Sequence, residues 1–145
     1  AVGSVFLGFE DTMPDLAYII GYSESSLGYA PLYSESAPVD VRKKFSQVIK
    51  KALKLSETKA EAISKVYLAS DSYLGLREAE LSAVQALFPE STQTVALKDM
   101  IGETLAASSF VGLAVATSNL KGPDDRVVVL NIEASGSLSA LVISK

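Results

Sequence analysis

Apolar positions along the 145-residue chain change their spacing several times, and the changes mark out alternating strands and helices. Residues 4–9 (SVFLGF) and 17–22 (AYIIGY) are short apolar, β-branched or aromatic runs separated by the acidic, proline-bearing EDTMPD, which predicts two strands joined by a turn. Residues 23–38, SESSLGYAPLYSESAP, are rich in Ser, Gly and Pro and read as a long polar loop, a length at which loops tend to carry function. From Pro38 the period becomes helical: Val41, Phe45, Val48, Ile49 and Ala52 fall on one face, Ser36 serves as cap, Pro38 and Asp40 sit in the first turn, and Lys50, Lys51 and Lys54 lie near the end at Leu55. KVYLAS (65–70) reads as a strand, LGLREAELSAVQALF (74–88) as an amphipathic helix stopped by Pro89, and TVALK (94–98) as another strand. RVVVLNIE and SLSALVISK (126–133 and 137–145) flank Ala-Ser-Gly as a hairpin.

The order ββαβαβαββ implies an α/β fold built on a mixed five-stranded sheet, with right-handed crossovers and an antiparallel hairpin at its edge. The remaining stretch, LKDMIGETLAASSFVGLAVA (97–116), predicts a helix of a different kind. From 105 to 116 every residue is apolar, glycine or serine, and a helix apolar all round must be buried all round. A membrane span would need about 20 consecutive apolar residues. The run is shorter, so the expectation is a central helix gripped between two sheets, one of which this chain does not own.

Composition narrows the chemistry. With 48% apolar and 21% charged residues the chain has a globular balance, and its length suits one domain spanning 1–145. Cysteine and histidine are both absent, which removes disulfides, thiolate nucleophiles, Ser-His and Cys-His catalysis and the commonest zinc ligands. The net charge of −4 argues against sequence-independent nucleic-acid binding, which depends on neutralising phosphates. The first residues, AVGSVFLGFED, carry no basic n-region and only a short apolar run, so no signal peptide and a cytoplasmic location are expected. No phosphate-binding glycine loop is present and no cofactor is expected. Gly-Pro-Asp-Asp at 122–125 reads as a turn rather than a calcium loop.

Four segments, in order, resemble one family. KDMIGETLAASSFVGLAVA is similar to the K-S-N-I-G-H-T-x-x-A-A-G segment of the β-ketoacyl-[acyl-carrier-protein] synthases, condensing enzymes of the thiolase-like superfamily. VYLASDSYLGLREAE is similar to that family's V-x-A-H-G-T-x-T-x-x-x-D-x-x-E. AYIIGYSESS resembles the strand-then-loop entry to the C-terminal half, and RVVVLNIEASGSLSALVISK its closing hairpin. The resemblance implies the C-terminal half of a thiolase-like fold, in which two halves stack as α-β-α-β-α layers and each buries one central helix. It also implies that the half bearing the nucleophilic cysteine is not in this sequence.

The departures from the motifs carry as much weight. Aligned without gaps, the first catalytic histidine falls on Ala69, the motif lysine on Lys98 and the second histidine on Glu103. Alanine donates nothing to a thioester oxygen and an ionised glutamate opposes charge building there, so condensation in the usual way is not expected of this chain. Lys98, Asp99 and Glu103 read first as charges trimming a helix mouth, where carboxylates gain about 0.3–1 kcal/mol. A second reading makes Lys98 and Glu103 the remnant of a pocket for an acyl or thioester group, with Ser70 or Ser108 as a lysine-activated nucleophile.

Arg42, Lys43, Lys44, Lys50, Lys51 and Lys54 are six of the 13 basic residues, all on the first helix. They read as a solvated face. The family resemblance adds a partner, an acidic acyl carrier protein docked on Lys43, Lys50 and Lys54 by electrostatic steering. Three functions follow from the resemblance. The first is a non-catalytic subunit or domain of a fatty acid or polyketide condensing assembly, homo- or hetero-oligomeric with a synthase partner. The second is one part of an acyltransferase acting on thioesters with the missing half. The third is an acyl-binding module.

Overall fold

The computed structural model describes residues 17–28, 41–70, 76–102 and 107–145. The strand expected at 4–9 lies outside these residues. The described elements are β1 (Tyr18–Ser26), α1 (Val41–Leu55), β2 (Ile63–Leu68), α2 (Leu76–Leu87), β3 (Gln93–Ala96), α3 (Leu97–Ile101), α4 (Ser108–Ser118), β4 (Arg126–Ile132) and β5 (Ser137–Ser144), with a short 3-10 turn, Ala60–Ala62, leading into β2. The five strands form one mixed sheet in the order β1-β5-β4-β2-β3. β2 runs parallel to both β3 and β4, whereas β5 pairs antiparallel with β4 and β1. The hairpin β4–β5 therefore occupies the interior of the sheet rather than its edge, because β1 adds outside it.

Alternation along the strands sorts the core into two layers. Val66, Leu68, Val128, Leu130, Ile132, Leu138, Ala140 and Val142 face α1 and α2, whose buried residues include Phe45, Ile49, Ala83 and Val84. Tyr67, Val127, Val129 and Ile143 face the other way, toward α4 and Leu97. The stripe that the period of α1 predicts is the stripe that is buried: Val41, Phe45, Val48, Ile49 and Ala52 are all inside, joined by Leu53.

β1 runs on through Ser26, beyond the loop expected from Ser23. Its inward positions are filled by Gly21 and Ser23 and its outward ones by Tyr22 and Glu24, an alternation that polarity hides. Gly21 is required for close approach: a Cβ there would stand 2.4 Å from the Ala52 carbonyl oxygen and 2.8 Å from Ser56 Cβ. The register shifts between Ile19 and Gly21, a bulge that delivers the glycine to that contact.

The stretch 97–116 is not one helix. α3 ends after five residues at Gly102, whose φ of +74° belongs to the left-handed region that suits glycine and terminates helices, and its amide donates to the Lys98 carbonyl at 2.9 Å. Among the described residues α4 is also covered on one side only. Gly112 and Ala116 pack onto the sheet, whereas Ala107, Phe110 and Ala114 are exposed. The second surface expected to enclose it is not among the described residues.

Candidate functional site

The parallel strands β2, β3 and β4 end on the same side of the sheet, the place where open α/β sheets position their sites. β2 runs out at Ala69 and Ser70, β3 turns straight into Leu97 and Lys98, and β4 contributes Leu130 and Asn131. Ala69 and Lys98, which the resemblance set at the positions of the first motif histidine and the motif lysine, both line one cavity between the sheet and α4, with Tyr67, Ile101, Gly112 and Asn131. The cavity encloses about 20 Å³, room for a water molecule rather than an acyl chain. Lys98 is partly buried. Burial pushes the Tyr67 phenol up, opposed by its hydrogen bond with Asn119. Glu103 and the side chain of Ser108 lie outside the described residues.

Ser70, the nucleophile expected beside Lys98, is engaged by α2. Its hydroxyl donates to the Glu80 carboxylate in a short contact. Glu80, on α2, is fully buried and also accepts the Ala69 amide at 2.7 Å and the Ser70 amide at 3.0 Å. Burial pushes its carboxyl above the ordinary value, with Ser70, the two amides and the Arg77 charge pulling the other way. One helical turn earlier, Arg77 donates from Nε and Nη2 to the Ser70 carbonyl at 2.9 and 2.6 Å. Its Nη1 and Nη2 reach Asp99 on α3 at 3.0 and 2.9 Å, a two-pronged ion pair. That pairing, more than the helix mouth, holds the Asp99 carboxyl below its ordinary range.

Ala69 and Ser70 are thus tied to α2 by hydrogen bonds, and sequence reading assigned neither Glu80 nor Arg77 to them. A signal was present, since the D-x-x-E that closes the resembling motif falls on Arg77 and Glu80. The glutamate matches and the aspartate has become arginine.

Lys43, Lys50 and Lys54 lie apart from this corner on the exposed side of α1. The turn at 122–125 is closed by Asp125, whose carboxylate accepts the Ser64 hydroxyl at 2.6 Å and the Lys121 amide at 2.9 Å. Among the described residues no group of three or more His, Cys, Asp or Glu is placed to hold a metal, and no helix is long and apolar enough to cross a membrane.

Comparison with known proteins gives a consistent answer. No curated protein sequence matches. A family model described as "Beta-ketoacyl synthase, C-terminal domain" matches residues 16–123. Among solved structures, the PfaC keto synthase-chain length factor superposes with a TM-score of 0.74 at 20% identity, covering 89% of this chain and 13% of that one. The ketosynthase from module 1 of the bacillaene synthase of Bacillus amyloliquefaciens FZB42 gives 0.72 at 16% identity, covering 89% and 30%. A type II polyketide acyl-carrier protein in complex with its ketosynthase (AntDE:AntF) gives 0.69 at 19%, covering 88% and 38%. The chain therefore spans well under half the length of these structures. With a five-stranded mixed sheet of the same fold and more than half of its length matched by the family model, the chain belongs to the β-ketoacyl synthase C-terminal domain family.

Proposed function

We propose that this chain is the C-terminal half of a condensing-enzyme-like assembly in fatty acid or polyketide metabolism, non-catalytic by itself, and that a thiolase-like N-terminal half completes it by covering α4 and the flank of β1. The observation that carries this reading is the apolar face opposite α1 and α2. Cross-strand partners share a face. Tyr22, Leu141, Val129, Tyr67 and Val95 therefore form one row across the sheet, and α4 shields its middle while Tyr22 at the β1 end is exposed. Ile19, Ile101 and Phe110 add further exposed apolar surface. Several large exposed apolar side chains on one face are what an interaction surface presents.

The short span of the chain against the solved ketosynthases supports the same reading. So does the chemistry at the corner of β2, where Ala69 has no donor to offer a thioester oxygen. Lys43, Lys50 and Lys54 are available on the opposite side to steer an acidic carrier protein toward the assembly.

The test is the solution mass of the chain with and without a cysteine-bearing synthase half from the same pathway. A stable complex is expected, with carrier binding that weakens on charge reversal at Lys43, Lys50 and Lys54 and does so less at high salt. Strict monomer behaviour with every synthase half would overturn the assembly. Unchanged carrier affinity would remove the docking role and leave the rest.

A second reading has one specific observation behind it: Lys98 lines the cavity beside Ala69. In that reading the completed assembly transfers acyl groups, with Lys98 and Glu103 acting on a thioester. Loss of turnover in Lys98→Ala at unchanged assembly would favour it. The acyl-binding module is the weakest of the three, because the cavity beside Lys98, at about 20 Å³, does not hold an acyl chain.

A further inference from the structure

α3 is a five-residue helix, well short of the length at which a helix sustains itself. Only Leu97 is buried; Met100 is largely exposed and Ile101 is half-exposed at the rim of the cavity. It starts directly from β3 and stops at a glycine with positive φ, so it has a pivot at its far end. Its packing belongs to the α4 side of the sheet, through Leu97. Arg77 belongs to α2, which packs on the other side. The ion pair between Arg77 and Asp99 therefore passes round the end of the sheet and ties the two layers together.

The two ends of this tie differ in how firmly they are held. Arg77 is 16% exposed and its guanidinium is fixed on the Ser70 carbonyl, itself part of a corner pinned by Glu80. Asp99 is 50% exposed, on a helix with little packing of its own. One end is a rigid post and the other a removable arm. Neither residue type is the one the resembling motifs have at these positions, where Asp stands for Arg77 and Ser for Asp99, so the pair is a property of this chain.

We infer that Arg77 and Asp99 form a latch that holds α3, and with it Lys98, over the cavity between the sheet and α4, and that releasing the latch lets α3 open as a unit while the layers beneath stay folded. Opening uncovers Tyr67 and Gly112, both of which line the cavity with Leu97 and Ile101. The latch does not depend on the assembly proposed above.

Hydrogen exchange on the full chain, followed in a peptide spanning 97–102 and in one spanning 126–132, tests it. Asp99→Asn is expected to speed exchange in the first peptide roughly two- to fivefold, the range of an exposed charge pair, and to leave the second unchanged. Arg77→Lys keeps the charge, loses the two-pronged geometry and should give most of the same acceleration. Molar salt should accelerate the first peptide of the unaltered chain and add little to Asp99→Asn. Unchanged exchange at 97–102 in Asp99→Asn would overturn the latch. So would equal acceleration in both peptides, which would mean that the pair stabilises the whole fold rather than α3. The salt measurement needs no variant and decides the matter if a substituted chain does not fold.

Discussion

The two faces of the sheet meet the same problem with opposite results. On one, α1 and α2 bury a complete core, and Phe45 at its centre is 0% exposed. On the other, α4 contributes Ala116 and partly buried Leu113 and Val115, while Phe110 on its outer side is 58% exposed. The difference lies in the helices themselves. α1 separates its apolar stripe from Arg42, Lys43, Lys50 and Lys54, so one neighbour satisfies it. α4 has no polar face to turn toward water, and a single sheet leaves half of it bare. The closed face is what a chain needs in order to fold; the open face is the one the proposed assembly would cover.

The largest effect is expected at Phe45. Phe45→Ala should cost about 3–5 kcal/mol, read as a lower denaturant midpoint at an unchanged slope, because the surrounding layer is packed on all sides.

A smaller effect is expected at Glu80, the charged group inside the closed layer. Glu80→Gln keeps the shape but sets an NH2 group against one of the two amide donors, Ala69 or Ser70, and should cost about 1–3 kcal/mol. Its pH dependence sharpens the point. The folded carboxyl is raised above its ordinary 4.5, so its contribution is fully present below that value and declines as pH rises through the folded pKa. The glutamine variant lacks this decline, and its deficit should narrow from acid toward neutral pH in paired denaturant titrations. A gap that widens instead would mean that the carboxylate is favoured inside.

The smallest effect should come from the open face. Phe110→Ser is expected to change the stability of the isolated chain by no more than about 0.5 kcal/mol and yet to weaken the proposed assembly, measured by solution mass. A loss of stability matching that of Phe45→Ala would show that the outer side of α4 is already covered within this chain.

How much of this was legible in the sequence follows from how local each signal is. The stripe of α1 and the strand pair flanking Ala-Ser-Gly are written in consecutive residues and match the elements found, and the apolar run ending at 116 matches a helix from Ser108 on, without the enclosure expected of it. The inner half of β1 was not legible, because Gly21 and Ser23 fill core positions through close contact rather than hydrophobicity. Gly102 divides 97–116 in two because of its backbone conformation, which the apolar pattern around it does not betray. The hairpin's interior place in the sheet depends on β1 pairing with β5 across more than a hundred residues. Arg77 and Asp99 are 22 residues apart on different layers, and no spacing rule joins them. Of the candidate site, Ala69 and Lys98 were placed together by motif resemblance, whereas the partner of Asp99 and the burial of Glu80 needed coordinates.

The contact between Gly21 and the carbonyl of Ala52 reaches further than one glycine. Sliding β1 by a single position would drive Ile20 or Tyr22 into the backbone of α1, so the strand has one alignment open to it and the neighbouring bulge cannot migrate. β1, outermost at its end of the sheet among the described strands and so in the place ordinarily most prone to fray or to recruit a foreign chain, is therefore indexed like a key against its wards. Any partner that docks beside it meets a ledge whose side chains stand at fixed heights.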